Sequence, residues 1–185
     1  MKFLKKNIFY FILTAFLIAV FTIPKFGDFI RGQILMSPSI SKVQDAITVS
    51  DADYNVALKG INVPDANLKD FKNQTIFLNF WGTWCPPCRA EWPTIQKLYD
   101  GKKGKMKFVL IAMQDKENDV RKFLKENNYS VPVYIAQSPL TEKLLIQIFP
   151  TTLILGKGGR ILQKEEGSKD WSSKNVSDFI DNVTK

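Results

Sequence analysis

Cys85 and Cys88 are the only cysteines in the chain, and the two residues between them, Pro86 and Pro87, are both proline. A pair spaced in this way suits thiol–disulfide exchange, which needs one thiol that ionises readily and a second within one step to resolve the mixed disulfide. The chain contains no His, so the commonest general base, proton shuttle and metal ligand is missing throughout. A zinc site would have to take two more ligands from carboxylates, and Arg89 stands where a c-type haem attachment requires His. Neither a metal nor another cofactor is therefore expected. A structural disulfide is the competing reading, but closing so short a loop removes little entropy from the unfolded chain.

The flanking pattern says how such a pair would be held. Thr75–Trp81 (TIFLNFW) is almost continuously apolar and β-prone, as in a strand buried on both faces. After Pro86-Pro87 the spacing turns helical, with Trp92, Ile95 and Leu98 apolar, Glu91, Lys97 and Asp100 polar, and Gly101 and Gly104 as stops. The cysteines thus fall on a strand-to-helix turn. There the unpaired N–H groups and the positive end of the helix dipole favour a thiolate at Cys85, and Cys88 lies one turn on. Proline is tolerated in a first helical turn, where its missing N–H has no partner to lose. Pro86 and Pro87 also withdraw two backbone donors from Cys85, which favours the disulfide over the dithiol and points to a low potential and a reductant.

Further along, Lys107–Met113 reads as a strand, Asn118–Asn127 as a helix and Val131–Ala136 as a strand, a βαβαβ alternation that implies a parallel core. Thr151–Leu155, a turn at Gly156–Gly159 and Arg160–Lys164 form a hairpin pattern, and Val176–Val183 a closing helix. The expected class is α/β, a three-layer sandwich around a central mixed sheet.

The net charge of +8 is concentrated near the N-terminus: residues 1–31 hold five Lys or Arg against Asp28 alone, leaving 21 basic and 17 acidic residues elsewhere. No basic run interleaved with aromatics follows, so nucleic acid is not an expected partner. Ile8–Pro24 is uncharged for seventeen residues behind three lysines, and no small-residue cleavage site follows it, the pattern of a retained anchor. As a helix it reaches about 26 Å, slightly short of a hydrocarbon core. The lysines favour an inside N-terminus. The expected organisation is a cytoplasmic N-terminus (1–7), a transmembrane signal-anchor (8–24), a juxtamembrane segment and linker (25–50) and a globular domain (51–185). Phe26, Phe29, Ile30 and Ile34 fall at helical spacing, which suits an interfacial helix or a plain spacer.

The stretch Phe77–Pro93, FLNFWGTWCPPCRAEWP, resembles the signature of membrane-anchored thioredoxin-like proteins of the TlpA and ResA type. Leu68-Lys69-Asp70-Phe71 before it and Phe149-Pro150-Thr151-Thr152-Leu153 after it are similar in order and spacing, so the resemblance spans roughly residues 50–185. It implies a thioredoxin fold and a disulfide reductase outside the cytoplasm, on the bacterial cytoplasmic membrane, often serving cytochrome c maturation. Protein thiols or disulfides would be the substrates, apocytochrome c among them, with a membrane electron donor.

Carried over by position, Cys85 would attack, Cys88 resolve, and Pro150 be a cis-proline that aligns substrate beside Trp84 and Phe149. Phe149 is larger than the residue usual in the family. Asn79 occupies the place where cytoplasmic thioredoxins bury an Asp that takes the resolving thiol's proton, which Asn cannot do. Glu91, three residues after Cys88, matches a family Glu and would tune or relay that proton; its alternative is an exposed carboxylate in a helix's first turn. A disulfide-forming oxidase or isomerase is a second enzymatic reading, a peroxidase a weaker third, and a non-catalytic envelope binding or chaperone-like module a rival of another class.

Overall fold

A computed structural model describes residues 2–39 and 48–185; residues 40–47 of the expected linker lie outside them. The chain forms helices α1 (Lys2–Thr22), α2 (Pro24–Gln33) and α3 (Asp51–Tyr54), then strands β1 (Ala57–Gly60), β2 (Ala66–Asn67) and β3 (Ile76–Trp81). Helix α4 (Pro86–Lys102), β4 (Lys107–Ala112), α5 (Glu117–Asn127) and β5 (Val133–Ala136) follow, and β6 (Thr151–Leu155), β7 (Ile161–Glu166) and α6 (Lys174–Val183) complete the chain.

The strands make one mixed sheet in the order β2-β1-β5-β4-β3-β6-β7. β3, β4 and β5 are parallel, as the alternation of strand and helix predicts, and the β6–β7 hairpin adds antiparallel strands. β3 lies at the centre with all six residues buried, which is why its sequence shows no alternation of apolar and polar residues.

Right-handed crossovers put both α4 and α5 on one face of the sheet, where α6 joins them. There Phe77, Trp81, Phe108 and Leu110 pack against Trp92, Ile95, Leu98, Val120, Leu124, Val176 and Ile180. The opposite face, Ile76, Leu78, Phe80, Val109, Ile111, Leu153 and Leu155, is covered by Tyr54, Val56, Leu68 and Leu144. That layer is thin: it consists of α3, a 3-10 turn at Leu68–Phe71 and the irregular segment 137–149.

At the N-terminus, Pro24 ends the α1 hydrogen-bond ladder and starts α2. No single helix among the described residues is long and apolar enough to cross a membrane; Asn7–Thr22 and Pro24–Gln33 qualify as a pair, bent by 102°. Ile8, Phe9, Phe11, Ile12 and Ile18 of α1 are all more than half exposed. Of the four residues at helical spacing, Phe26, Phe29 and Ile30 lie in α2 and Ile34 is its C-cap; that helix lies against α4 rather than standing apart as a spacer.

Candidate active site

The site is built where β3 ends and α4 begins. Cys85 is the N-cap of α4, with extended backbone (φ −96°, ψ 105°), and Pro86 and Pro87 fill the first helical positions. Since neither proline has an N–H, the first backbone donor in the helix is that of Cys88, and it donates to Cys85 Sγ at 3.3 Å. The two sulfurs are bonded, with Cα atoms 5.3 Å apart. Cys85 keeps 4% of its surface exposed and Cys88 none, so of the pair only Cys85 meets solvent.

The turn around them is fixed by its neighbours. Thr83 donates from its backbone N and its Oγ1 to the Asp115 carboxylate at 2.6 and 2.7 Å. The Trp84 indole donates to the Met113 carbonyl at 3.0 Å and lies so close over Gly82 that any Cβ there would collide with it. Trp84 stays 48% exposed and meets Phe149 edge to face, with ring centroids 5.4 Å apart. The Phe149-Pro150 peptide bond is cis. β6 pairs with β3 in a register that sets Thr151 opposite Phe80, so Pro150 falls at the end of β3 from which the cysteine turn departs.

Behind the cysteines lies a buried polar cluster. Asn79 Nδ2 donates to Glu91 Oε1 at 3.1 Å and to Thr152 Oγ1 at 2.9 Å. Glu91 Oε2 accepts from the Trp171 indole at 3.1 Å and from the Lys169 backbone N at 3.2 Å. Glu91 is 1% exposed, so it is not the solvated first-turn carboxylate that was the alternative. Burial pushes its carboxyl up to about 7, against the pull of its donors and of the Lys169 charge.

The structure thus brings Cys85, Cys88, Pro86, Pro87, Trp84, Phe149 and Pro150 to one end of the sheet, with Asn79 and Glu91 in the core behind. Sequence reasoning did not find Trp171, Lys169, Thr152 and Asp115. Trp171 lies in the connection between β7 and α6, outside any periodic pattern, and Lys169 contributes a main-chain group that no side-chain pattern reveals.

With this geometry in place, the redoxin family pattern matches residues 43–180. The thiol-disulfide oxidoreductase ResA of Bacillus thuringiensis subsp. konkukian is 36% identical over 121 residues, 63% of this chain and 68% of that protein. The chain is a ResA-like member of the redoxin family. Another relative, the thioredoxin-like protein YneN of Bacillus subtilis, is 30% identical over 124 residues, 65% of this chain and 73% of its own.

The fold of this ResA-like protein is that of thioredoxin, as expected. A crystal structure of a thiol:disulfide interchange protein, DsbE, from Chlorobium tepidum matches with a TM-score of 0.62 at 23% identity, covering 80% of this chain and all of that one. The ResA-like chain is accordingly an enzyme, a thiol-disulfide oxidoreductase, and its substrates are protein thiols or disulfides.

Proposed function

We propose that the protein is an extracytoplasmic disulfide reductase in which Cys85 attacks and Cys88 resolves. The observation that carries this reading is the position of Cys85 as N-cap of α4, its sulfur facing the helix N-terminus with a single backbone donor, Cys88 N, in reach. A thiolate there is favoured by the dipole yet poorly supplied with hydrogen bonds, so the dithiol remains a good electron donor.

In the reduced enzyme the Cys85 thiolate attacks a substrate disulfide, forms the mixed disulfide and releases one substrate thiolate. Cys88 then gives its proton to Glu91, one turn along α4, and its thiolate attacks Cys85 Sγ. The second substrate thiolate leaves, and the enzyme disulfide is closed. A carboxyl held near 7 accepts and returns a proton close to neutral pH. Asn79 orients that carboxylate in place of carrying a proton itself, while Trp84, Phe149 and cis Pro150 form the rim on which substrate lies. Apocytochrome c is the candidate substrate and a membrane protein the candidate electron donor.

The same reading makes residues 8–24 a single-pass anchor, with 1–7 in the cytoplasm and the domain from residue 51 outside. It is supported by the exposed apolar surface of α1, and by Thr14 and Thr22 hydroxyls that donate to their own helix's carbonyls, at Tyr10 and Ile18, as a helix in lipid requires.

The test is trapping. Full-length Cys88→Ser should accumulate mixed disulfides on Cys85 in cell envelopes, and wild type should reduce insulin while Cys85→Ser does not. Insulin reduction that survives Cys85→Ser would overturn the reading.

A further inference from the structure

We infer that Asp28 of α2 is a positioning residue for the redox pair: it clamps Arg89 against the cysteine turn and offsets its charge, so that the Asp28–Arg89 pair sets how readily Cys85 ionises. The inference rests on the reading of Cys85 as the attacking thiol.

Arg89 directly follows Cys88, and its backbone N donates to the Cys85 carbonyl at 3.1 Å. Its guanidinium turns back along the helix. Nη1 donates to the Thr83 carbonyl at 2.8 Å, inside the turn that carries Cys85. Nε and Nη2 donate to the two oxygens of Asp28 at 2.8 and 3.2 Å, a bidentate pair with both side chains 17% exposed. Paired charges so far withdrawn from water interact more strongly than surface ion pairs, and the fork fixes orientation as well as distance.

The rest of α2 supports the docking. A Cβ on Gly32 would lie 3.3 Å from the Ala90 carbonyl, a tight contact that the glycine avoids where the two helices meet. Lys25 Nζ donates to the Glu126 carbonyl at 3.4 Å. Beyond α2, Asp170 N donates to the Met36 carbonyl and Gln163 Nε2 to the Ser39 carbonyl, each at 2.9 Å, which holds the following segment to the domain. A cavity of about 450 Å³ lined by Phe29, Pro93, Phe123 and Tyr129 lies between α2 and the helices below.

The electrostatic consequence follows from sign. A bare guanidinium one turn from Cys85 would favour its thiolate. Asp28 sets a negative charge on that guanidinium and offsets its field at the sulfur, while its Oδ1 also accepts from Arg31 Nη1 at 3.2 Å. The other charged groups around this pair include Arg31 and Lys25 on α2, Glu126 on α5 across the cavity, Asp115 on the far side of Thr83, and Glu91 with Lys169 across α4. Tyr129 borders the cavity with a phenol that burial pushes up to about 12, so it stays neutral. Lifting α2 would take Lys25, Asp28 and Arg31 away together, one anion with two cations, so the effect of Asp28 is isolated by substituting that residue alone.

The measurement is the pH dependence of Cys85 alkylation by iodoacetamide in the reduced full-length protein in detergent micelles. Asp28→Asn should move the midpoint to lower pH and raise the rate below the wild-type midpoint about threefold, the size of a modest charge effect on a partly exposed thiol. Arg89→Gln should move it up, and Asp28→Asn combined with Arg89→Gln should return it to wild type. Near-UV circular dichroism identifies any variant that has lost its fold, and the remaining variants then decide. A wild type whose Cys85 resists alkylation at every pH overturns the proposed function and this inference with it. A normal wild-type titration that Asp28→Asn does not shift overturns the inference alone.

Discussion

Ile76, Leu78 and Phe80 point from β3 into one layer of the core, Phe77, Asn79 and Trp81 into the other, and all six are fully shielded from solvent. The first set packs into a layer that is apolar apart from the Tyr54 hydroxyl and Thr151, which lies opposite Phe80. The second shares its layer with the cysteine pair and includes an amide that binds Glu91 and Thr152. Burying an amide and a carboxyl costs stability unless their polar atoms find partners. Here Glu91 has three donors, yet Asn79 Oδ1 has none. The apolar face is built for packing; the other accepts a less favourable interior in exchange for a carboxyl whose proton is mobile near neutral pH.

Substitutions on the two faces should separate these roles. The largest effect on stability is expected from Leu78→Ala, about 2–5 kcal/mol in denaturant unfolding, with the disulfide exchange rate per folded molecule unchanged. Asn79→Leu removes a donor from Glu91 and a partner from Thr152, at about 1–3 kcal/mol, and it should also move the pH midpoint of mixed-disulfide resolution upward, because the ionised carboxylate loses support. Trp171→Phe keeps a ring against Phe77 but deletes the indole N–H; it should cost about 1 kcal/mol and shift the same midpoint less. If Leu78→Ala moved that midpoint as far as Asn79→Leu, the two faces would not differ as described.

Glu91 also gives stability a pH signature. Its folded value of about 7 lies above the ordinary 4.5. The folded state therefore binds more protons between those limits, and stability should fall as pH rises from about 4.5 to about 7. Glu91→Gln should remove that slope, read as unfolding midpoints across pH, and should also abolish the break near pH 7 in the resolution rate.

Much of this was legible in the chain. The strand-to-helix turn could be placed because a continuous apolar run, two prolines and a helical period meet at the cysteines. The cis state of Pro150 came only from family resemblance, since nothing local in Phe149-Pro150 reveals it. Glu91 could be named from its distance to Cys88, but its burial could not, because Trp171 and Lys169 reach it from about 80 residues away through a connection without periodicity. The spacing of Phe26, Phe29, Ile30 and Ile34 suited a helix or a plain spacer equally, and only the structure decides between them. The seat of α2 on Arg89 depends on two charges 61 positions apart, among many that look alike in sequence.

The most direct test of the central claim is alkylation of the reduced native protein, followed by mapping of the two sulfurs. Modification confined to Cys85, with Cys88 labelled only after unfolding, is the predicted outcome. Labelling of Cys88 first, or of neither cysteine, would contradict the assignment of Cys85 as the thiol that meets substrate.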